Sequence, residues 1–138
     1  MTVGDAAVVA ELVEELGYSR TVAEVGEWCE SVMSRGDQVV FVAEVGGEVV
    51  GWVEVSVERR LQSAPFALIG GLVVRDGKRG GGVGRLLCEE AERWAKERGL
   101  AKVRVTSRST REKAHRFYLR DGYEAVKTSV VFEKKTGA

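Results

Sequence analysis

Proline is almost missing from this chain, with one in 138 residues, and there are only two cysteines and one histidine. So little proline beside 44% apolar residues excludes a collagen, a mucin-like stalk and a disordered tail. Cys29 and Cys88 are too few for a disulfide framework, and with His115 alone they form no metal-ligand spacing, so no metal is expected and a reducing cytoplasm is the expected compartment. The chain also has no apolar run of about 18 residues, the length a membrane span needs. Its opening, MTVGDAAVVAELVEEL, has neither a basic flank nor a continuous apolar stretch, so no signal peptide is expected. A length a little under that of one typical domain predicts a single domain over 1–138.

Net charge is absent as well, with 21 basic against 21 acidic side chains, but the balance hides a division. Residues 1–74 carry 4 basic and 12 acidic side chains, whereas residues 75–120 carry 14 basic and 6 acidic ones. Fields summed over a cleft concentrate ligands of opposite sign, so the second part suits an anionic ligand and the first a cationic one.

Apolar periodicity predicts helices over residues 5–16 and 22–34, the first ended by Gly17. Two β-rich runs, Val39–Val45 and Val49–Val57, flank Gly46-Gly47 and predict a hairpin. Glu58–Gln62 is polar and predicts a loop. Phe66–Val74 predicts a buried strand bulged at Gly70-Gly71. A glycine-dense stretch follows, then a long amphipathic helix from Val83 that Gly99 ends. Ala101–Thr106 predicts a short strand, residues 110–120 a helix, and Tyr123–Glu133 a last strand. The order is ααβββαβαβ, an α/β chain with a mixed sheet.

A strand that runs through a glycine-rich turn into a helix N-terminus makes an anion site, since bare N–H groups and the helix dipole point inward. Gly77 and Gly82 have the spacing of a nucleotide triphosphatase loop, but Val83-Gly84 follows where Lys-Ser/Thr is needed. A dinucleotide fingerprint fails too, because Arg85 or Leu87 stands at its third glycine. What matches is Arg79-Gly80-Gly81-Gly82-Val83-Gly84 after Leu72-Val73-Val74, which resembles the acetyl-coenzyme A signature of the GNAT superfamily of N-acetyltransferases. Downstream, Ala114-His115-Arg116-Phe117-Tyr118 with Gly122-Tyr123 is similar to that family's second motif, and the resemblance spans roughly residues 5–134. Arg111, where the family often has Asn, and the Val53-Glu54-Val55-Ser56 run resemble the branch of aminoglycoside 6′-N-acetyltransferase-like proteins.

The resemblance implies a single-domain GNAT-like fold, a mixed but mostly antiparallel central sheet flanked by helices. The family normally opens with a strand, and Met1–Gly4 is barely long enough for one, so the first strand is expected to be truncated or absent, or the start misassigned. It implies acetyl-CoA as co-substrate, with Leu72, Val73 and Val74 beside the pantetheine arm and Gly80, Gly81, Gly82, Val83, Gly84 and Arg85 around the pyrophosphate, helped by Arg79. A backbone N–H within Gly71–Val73 would hold the developing oxyanion. Tyr118 matches the tyrosine that relatives use as general acid toward the leaving thiolate. Many relatives carry a carboxylate base on the strand before the loop, but Phe66–Gly71 has none. Glu54 is the nearest candidate, on the face of its strand expected to hold Val50, Trp52 and Ser56, and a water relay is the alternative to it.

His115, Cys88, Trp28, Trp52 and Trp94 read as packing or surface residues rather than catalytic ones. The expected activity is transfer of an acetyl group to a primary amine of a small, cationic molecule by direct attack in a ternary complex. A protein lysine or N-terminal amine is the rival acceptor, and a noncatalytic acyl-CoA-binding module the rival class. No nucleic acid or membrane partner is expected. An uncovered sheet edge makes a homodimer a candidate assembly.

Overall fold

Gly46 and Gly47 take φ of +60° and +82°, both left-handed, as a two-residue hairpin turn requires. They join β1 (Gln38–Val45) to β2 (Glu48–Arg60), and β2 turns through Leu61-Gln62 into β3 (Ser63–Val74). The computed structural model describes residues 1–138 except Asp76, Arg79, Gly80, residues 108–110 and the side chain of Met33. The chain divides into two compact units, Met1–Thr106 and Ser107–Ala138.

The first unit is built on a four-stranded sheet in the order β1-β2-β3-β4, with β4 at Val103–Val105. The first three strands are antiparallel and β4 runs parallel to β3, so the sheet is mixed and mostly antiparallel, as the sequence implies. Helices α1 (Ala6–Glu15) and α2 (Val22–Met33) precede it, and α3 (Val83–Glu97) lies between β3 and β4. Val9, Ala10 and Leu12 of α1 and Val25 of α2 bury against Val40, Val49, Trp52 and Val73 of the sheet. Helix α3 packs on the opposite face, with Val83 and Leu87 beside Gly51.

No strand precedes α1 among the described residues. Val3–Asp5 form a short 3-10 turn, and the Met1 ammonium donates to the Val40 carbonyl of β1 at 3.0 Å. β1 is therefore an edge strand.

In the second unit, α4 (Glu112–Arg120) is followed by no strand among the described residues. This corrects the expected strand at Tyr123–Glu133. Val126, Val130, Val131 and Phe132 are all exposed, and β propensity becomes a strand only when a neighbouring edge accepts its hydrogen bonds. The expected loop Glu58–Gln62 shrinks to the Leu61-Gln62 turn, and Glu58–Arg60 is corrected to strand, because the ladder runs on to an Arg60–Ser63 pair. The Arg60 and Arg104 guanidinium groups lie 5.0 and 4.5 Å from the centre of the Phe66 ring, which gives the charged end of the hairpin an apolar seat. No described helix is long and apolar enough to cross a membrane.

Candidate active site

β3 changes character halfway along its length. Its parallel partner β4 pairs with it only at Ala67, Leu68 and Ile69, and over Gly70–Val73 no described strand lies on that side. Arg75 N–H donates to the Val50 carbonyl at 2.7 Å, so by strand alternation Val73 and Gly71 also face β2 and Leu72 turns its N–H and carbonyl to the open side. Leu72 thus has the orientation expected of a residue that pairs with an extended ligand. Within Gly71–Val73 it is also the residue whose N–H faces outward.

Residues 75–82 join β3 to α3 in the chain. Lys78 N–H donates to the Arg75 carbonyl at 3.0 Å, and Gly77 and Gly82 both take φ of +84°. Gly82 is the N-cap residue and offers no side-chain cap to the first turn of α3, the helix end whose amides and dipole favour an anion. Gly51 seats this helix end. A Cβ there would come within 2.7 Å of the Val73 carbonyl and 3.2 Å of Leu87 Cδ1, so only glycine lets α3 lie this close to the sheet. Arg85 is exposed and pairs with Glu89 at 3.2 Å. Gly81 is described and exposed, whereas Arg79 and Gly80 lie outside the described residues.

Glu54 sits at the centre of the sheet, where the expected bulge is found. The β2–β3 register pairs Glu54 with Gly71 and Val55 with Ile69, so Gly70 is the extra residue. The Glu54 carboxylate reaches across to this bulge. Its carboxyl carbon and Oε2 stand 3.5 Å from the point a Gly70 Cβ would occupy. A carboxylate thus lies over β3 at its bulge although β3 itself carries none. Oε1 accepts from Gln38 Nε2 at 3.1 Å. Burial raises the Glu54 carboxyl above its ordinary range, with the Gln38 hydrogen bond acting in the opposite direction.

Trp52 shares this face, but Val50 does not join it as expected. A register shift between β1 and β2 passes over Val50 and brings Val49 into the cluster with Trp52. The Trp52 ring lies under Gly71, where a Cβ would come within 2.5 Å of its Cη2. Trp94 is buried and Trp28 partly so, as packing residues should be. Trp28 also lines a cavity of about 300 Å³ at the β1 edge, together with Gln38 and Trp94. Cys29 and Cys88 are both buried. No group of three His, Cys, Asp or Glu side chains gathers to hold a metal among the described residues.

Tyr118 belongs to the second unit. It is half-buried on α4, with edge-on ring contacts to Phe117 at 5.1 Å and Tyr123 at 5.7 Å, and its carbonyl accepts from Tyr123 N–H at 2.9 Å. His115 is half-buried on the same helix. Sequence reasoning missed Gln38, Gly51 and the fit of Gly70 to Glu54. The signal for Gly51 was a glycine inside a strand, which marks a close approach of another backbone.

Residues 6–123 match the Acetyltransferase (GNAT) family, and the chain belongs to it. Its fold is that of aminoglycoside 6′-N-acetyltransferases. AAC(6')-Iy in complex with CoA superposes with a TM-score of 0.87 at 16% identity over 98% of this chain and 91% of that one. AAC(6')-IG from Acinetobacter haemolyticus gives 0.81 at 20% identity over 96% and 93%. Among curated proteins, the aminoalkylphosphonate N-acetyltransferase of Salmonella typhimurium is 37% identical over 79 residues, 56% of this chain. The chain spans about half, 51%, of that relative's length.

Proposed function

We propose that this protein transfers an acetyl group from acetyl-CoA to a primary amine of a small, cationic molecule by direct attack in a ternary complex. The observation that carries the reading is the open side of β3 at Leu72 together with the N-terminus of α3, where Gly82 caps without a side chain. An extended arm ending in a diphosphate fits these two features, because a strand edge satisfies its amides and helix amides its charge. In this reading Leu72, Val73 and Val74 border the pantetheine arm, and Gly80 to Arg85 with Arg79 surround the pyrophosphate.

Acetyl-CoA supplies an activated carbonyl. The chain must supply a neutral amine, a place for the oxyanion and a proton for the leaving sulfur. At pH 7, neutralising an amine of pKa about 10 costs roughly 4 kcal/mol. Glu54 takes that proton, directly or through one water, and burial suits it to the task by raising its basicity. The nitrogen then forms the C–N bond as Leu72 N–H stabilises the developing oxyanion, the C–S bond breaks, and the thiolate takes a proton from Tyr118, the residue that matches the family's tyrosine, while the proton shed by the new amide nitrogen restores the phenol. A phenol is a weak donor beside a thiol of pKa about 8.5, so Tyr118 assists rather than dominates. Tyr118→Phe is expected to lower kcat with little change in acetyl-CoA affinity, measured by turnover and calorimetry.

The excess of acid in residues 1–74 favours a cationic acceptor. The test is thiol release across a panel of aminoglycosides, polyamines, aminoalkylphosphonates and lysine peptides, paired with calorimetric titration of acetyl-CoA. Turnover of a small polyamine or aminoglycoside supports the reading. Turnover of peptides alone moves the function to protein acetylation, and binding without any turnover leaves an acyl-CoA-binding module.

A further inference from the structure

We propose that Gln38 is a positioning residue for Glu54, fixing one carboxylate oxygen and leaving the other to accept a proton at the opening kept by Gly70. The proposal rests on the reading of Glu54 as the base that prepares the amine.

The two oxygens of Glu54 have different surroundings. Oε1 is held from β1 by Gln38 Nε2 at 3.1 Å. Both oxygens lie near the vacant Cβ position of Gly70, a residue exposed to solvent, Oε2 at 3.5 Å and Oε1 at 3.7 Å, so what distinguishes them is the Gln38 bond on Oε1. A carboxylate swings about its terminal torsion unless something holds it, because that torsion has broad minima. A neutral amide is a suitable hold. Lysine or arginine at 38 would lower the carboxyl and spoil its basicity, whereas an apolar side chain would leave it swinging and more readily protonated.

The Met1 ammonium donates to the carbonyl of Val40, the cross-strand partner of Glu54, and Glu44 lies at the far end of β1 opposite Val49. On β2 the next ionisable residue on this face is Glu58, beyond Ser56. On β1 the nearest is Asp37, which precedes the strand and offers its backbone carbonyl to Val57. β3 carries no ionisable residue along its length, and the α1 and α2 side chains buried over this face of the sheet are Ala6, Val9, Ala10, Leu12 and Val25. Burial and the Gln38 hydrogen bond act on the Glu54 carboxyl in opposite directions, so removing the donor at position 38 leaves burial unopposed by it.

The test uses the full chain with Gln38→Met, which keeps length and removes the donor, and Gln38→Leu as a second variant should the first not fold. Two readouts are compared: the pH profile of kcat/KM by thiol release, and the carbon-13 NMR titration of the Glu54 carboxyl, assigned by its loss in Glu54→Gln. Losing the donor is expected to move the carboxyl titration and the acid limb of the profile together to higher pH. The fall in kcat/KM should be roughly tenfold at the acid end, the scale of a lost hydrogen bond to a charged group, and smaller at the alkaline end. A folded variant in which either stays put, while Glu54→Gln is inactive, overturns the positioning role and leaves Glu54 as base. Full activity in Glu54→Gln overturns the base itself, whatever Gln38 does to the titration.

Discussion

Glu54 shows at the scale of one residue how function is held against stability. Its carboxyl is raised by burial, so between about pH 4.3, where an unfolded glutamate titrates, and its own higher value the folded chain binds the extra proton. Stability therefore falls as pH rises through that window, and the loss is complete above the folded value. Glu54→Gln keeps an acceptor for Gln38 and carries no charge, so it is expected to melt higher than the wild type at neutral pH. The gap should close below about pH 4, followed by thermal denaturation across pH, while amine acetylation is lost. Gly71 is a second residue-scale case. A Cβ there would press to 2.5 Å on the Trp52 ring, which is only 6% exposed and has no room to retreat. Gly71→Ala is expected to cost about 1–3 kcal/mol in denaturant unfolding, the usual range for overpacking. The sequence made Glu54 legible because a carboxylate was wanted and β3 had none. Gln38 was not legible, since a glutamine at the start of a strand carries no signal until the register brings it beside its partner.

Among the elements, the start of α3 decides cofactor affinity. Gly82 is left-handed at φ +84° and caps the helix without a side chain. Gly82→Glu would strain that turn and place a negative charge where a diphosphate is to sit, so it is expected to abolish the acetyl-CoA isotherm in calorimetry while the chain stays folded by circular dichroism. Retained binding would remove the bend from the site. The helix itself was readable from Val83, Leu86, Leu87, Ala91, Trp94 and Ala95, of which all but Leu86 prove buried; Leu86 is exposed and Cys88 joins the buried stripe instead. Strand ends were less readable. Glu58–Arg60 looked like a loop because it is charged, yet the ladder and the seat for arginine on Phe66 carry β2 onward. Tyr123–Glu133 looked like a strand because it is rich in valine and aromatics, yet a strand is a relation between two segments.

At the scale of the molecule, charge is the feature with the widest reach. Residues 1–74 hold a net excess of acid, and Glu11, Glu14, Glu15, Glu27 and Glu30 of α1 and α2 lie wholly or partly in solvent. Steering by such a field is screened over about 8 Å at physiological ionic strength. KM for a polycationic amine is therefore expected to rise several-fold as salt is raised from low to physiological, with kcat steady and KM for a monoamine changing less. A flat salt response would remove the electrostatic argument for the acceptor. What the sequence determined by itself was the local chemistry: the hairpin at Gly46-Gly47, the bulge at Gly70, the glycine bend and the amphipathic helix behind it. Each of these depends on the backbone freedom or apolar spacing of neighbours in the chain. Only the tertiary structure decided that Glu54 fills the place left by Gly70, that Gln38 holds it, and that Gly51 lets α3 close on the sheet. These are contacts between strands and helices distant in sequence, fixed by register and packing, which no local pattern specifies.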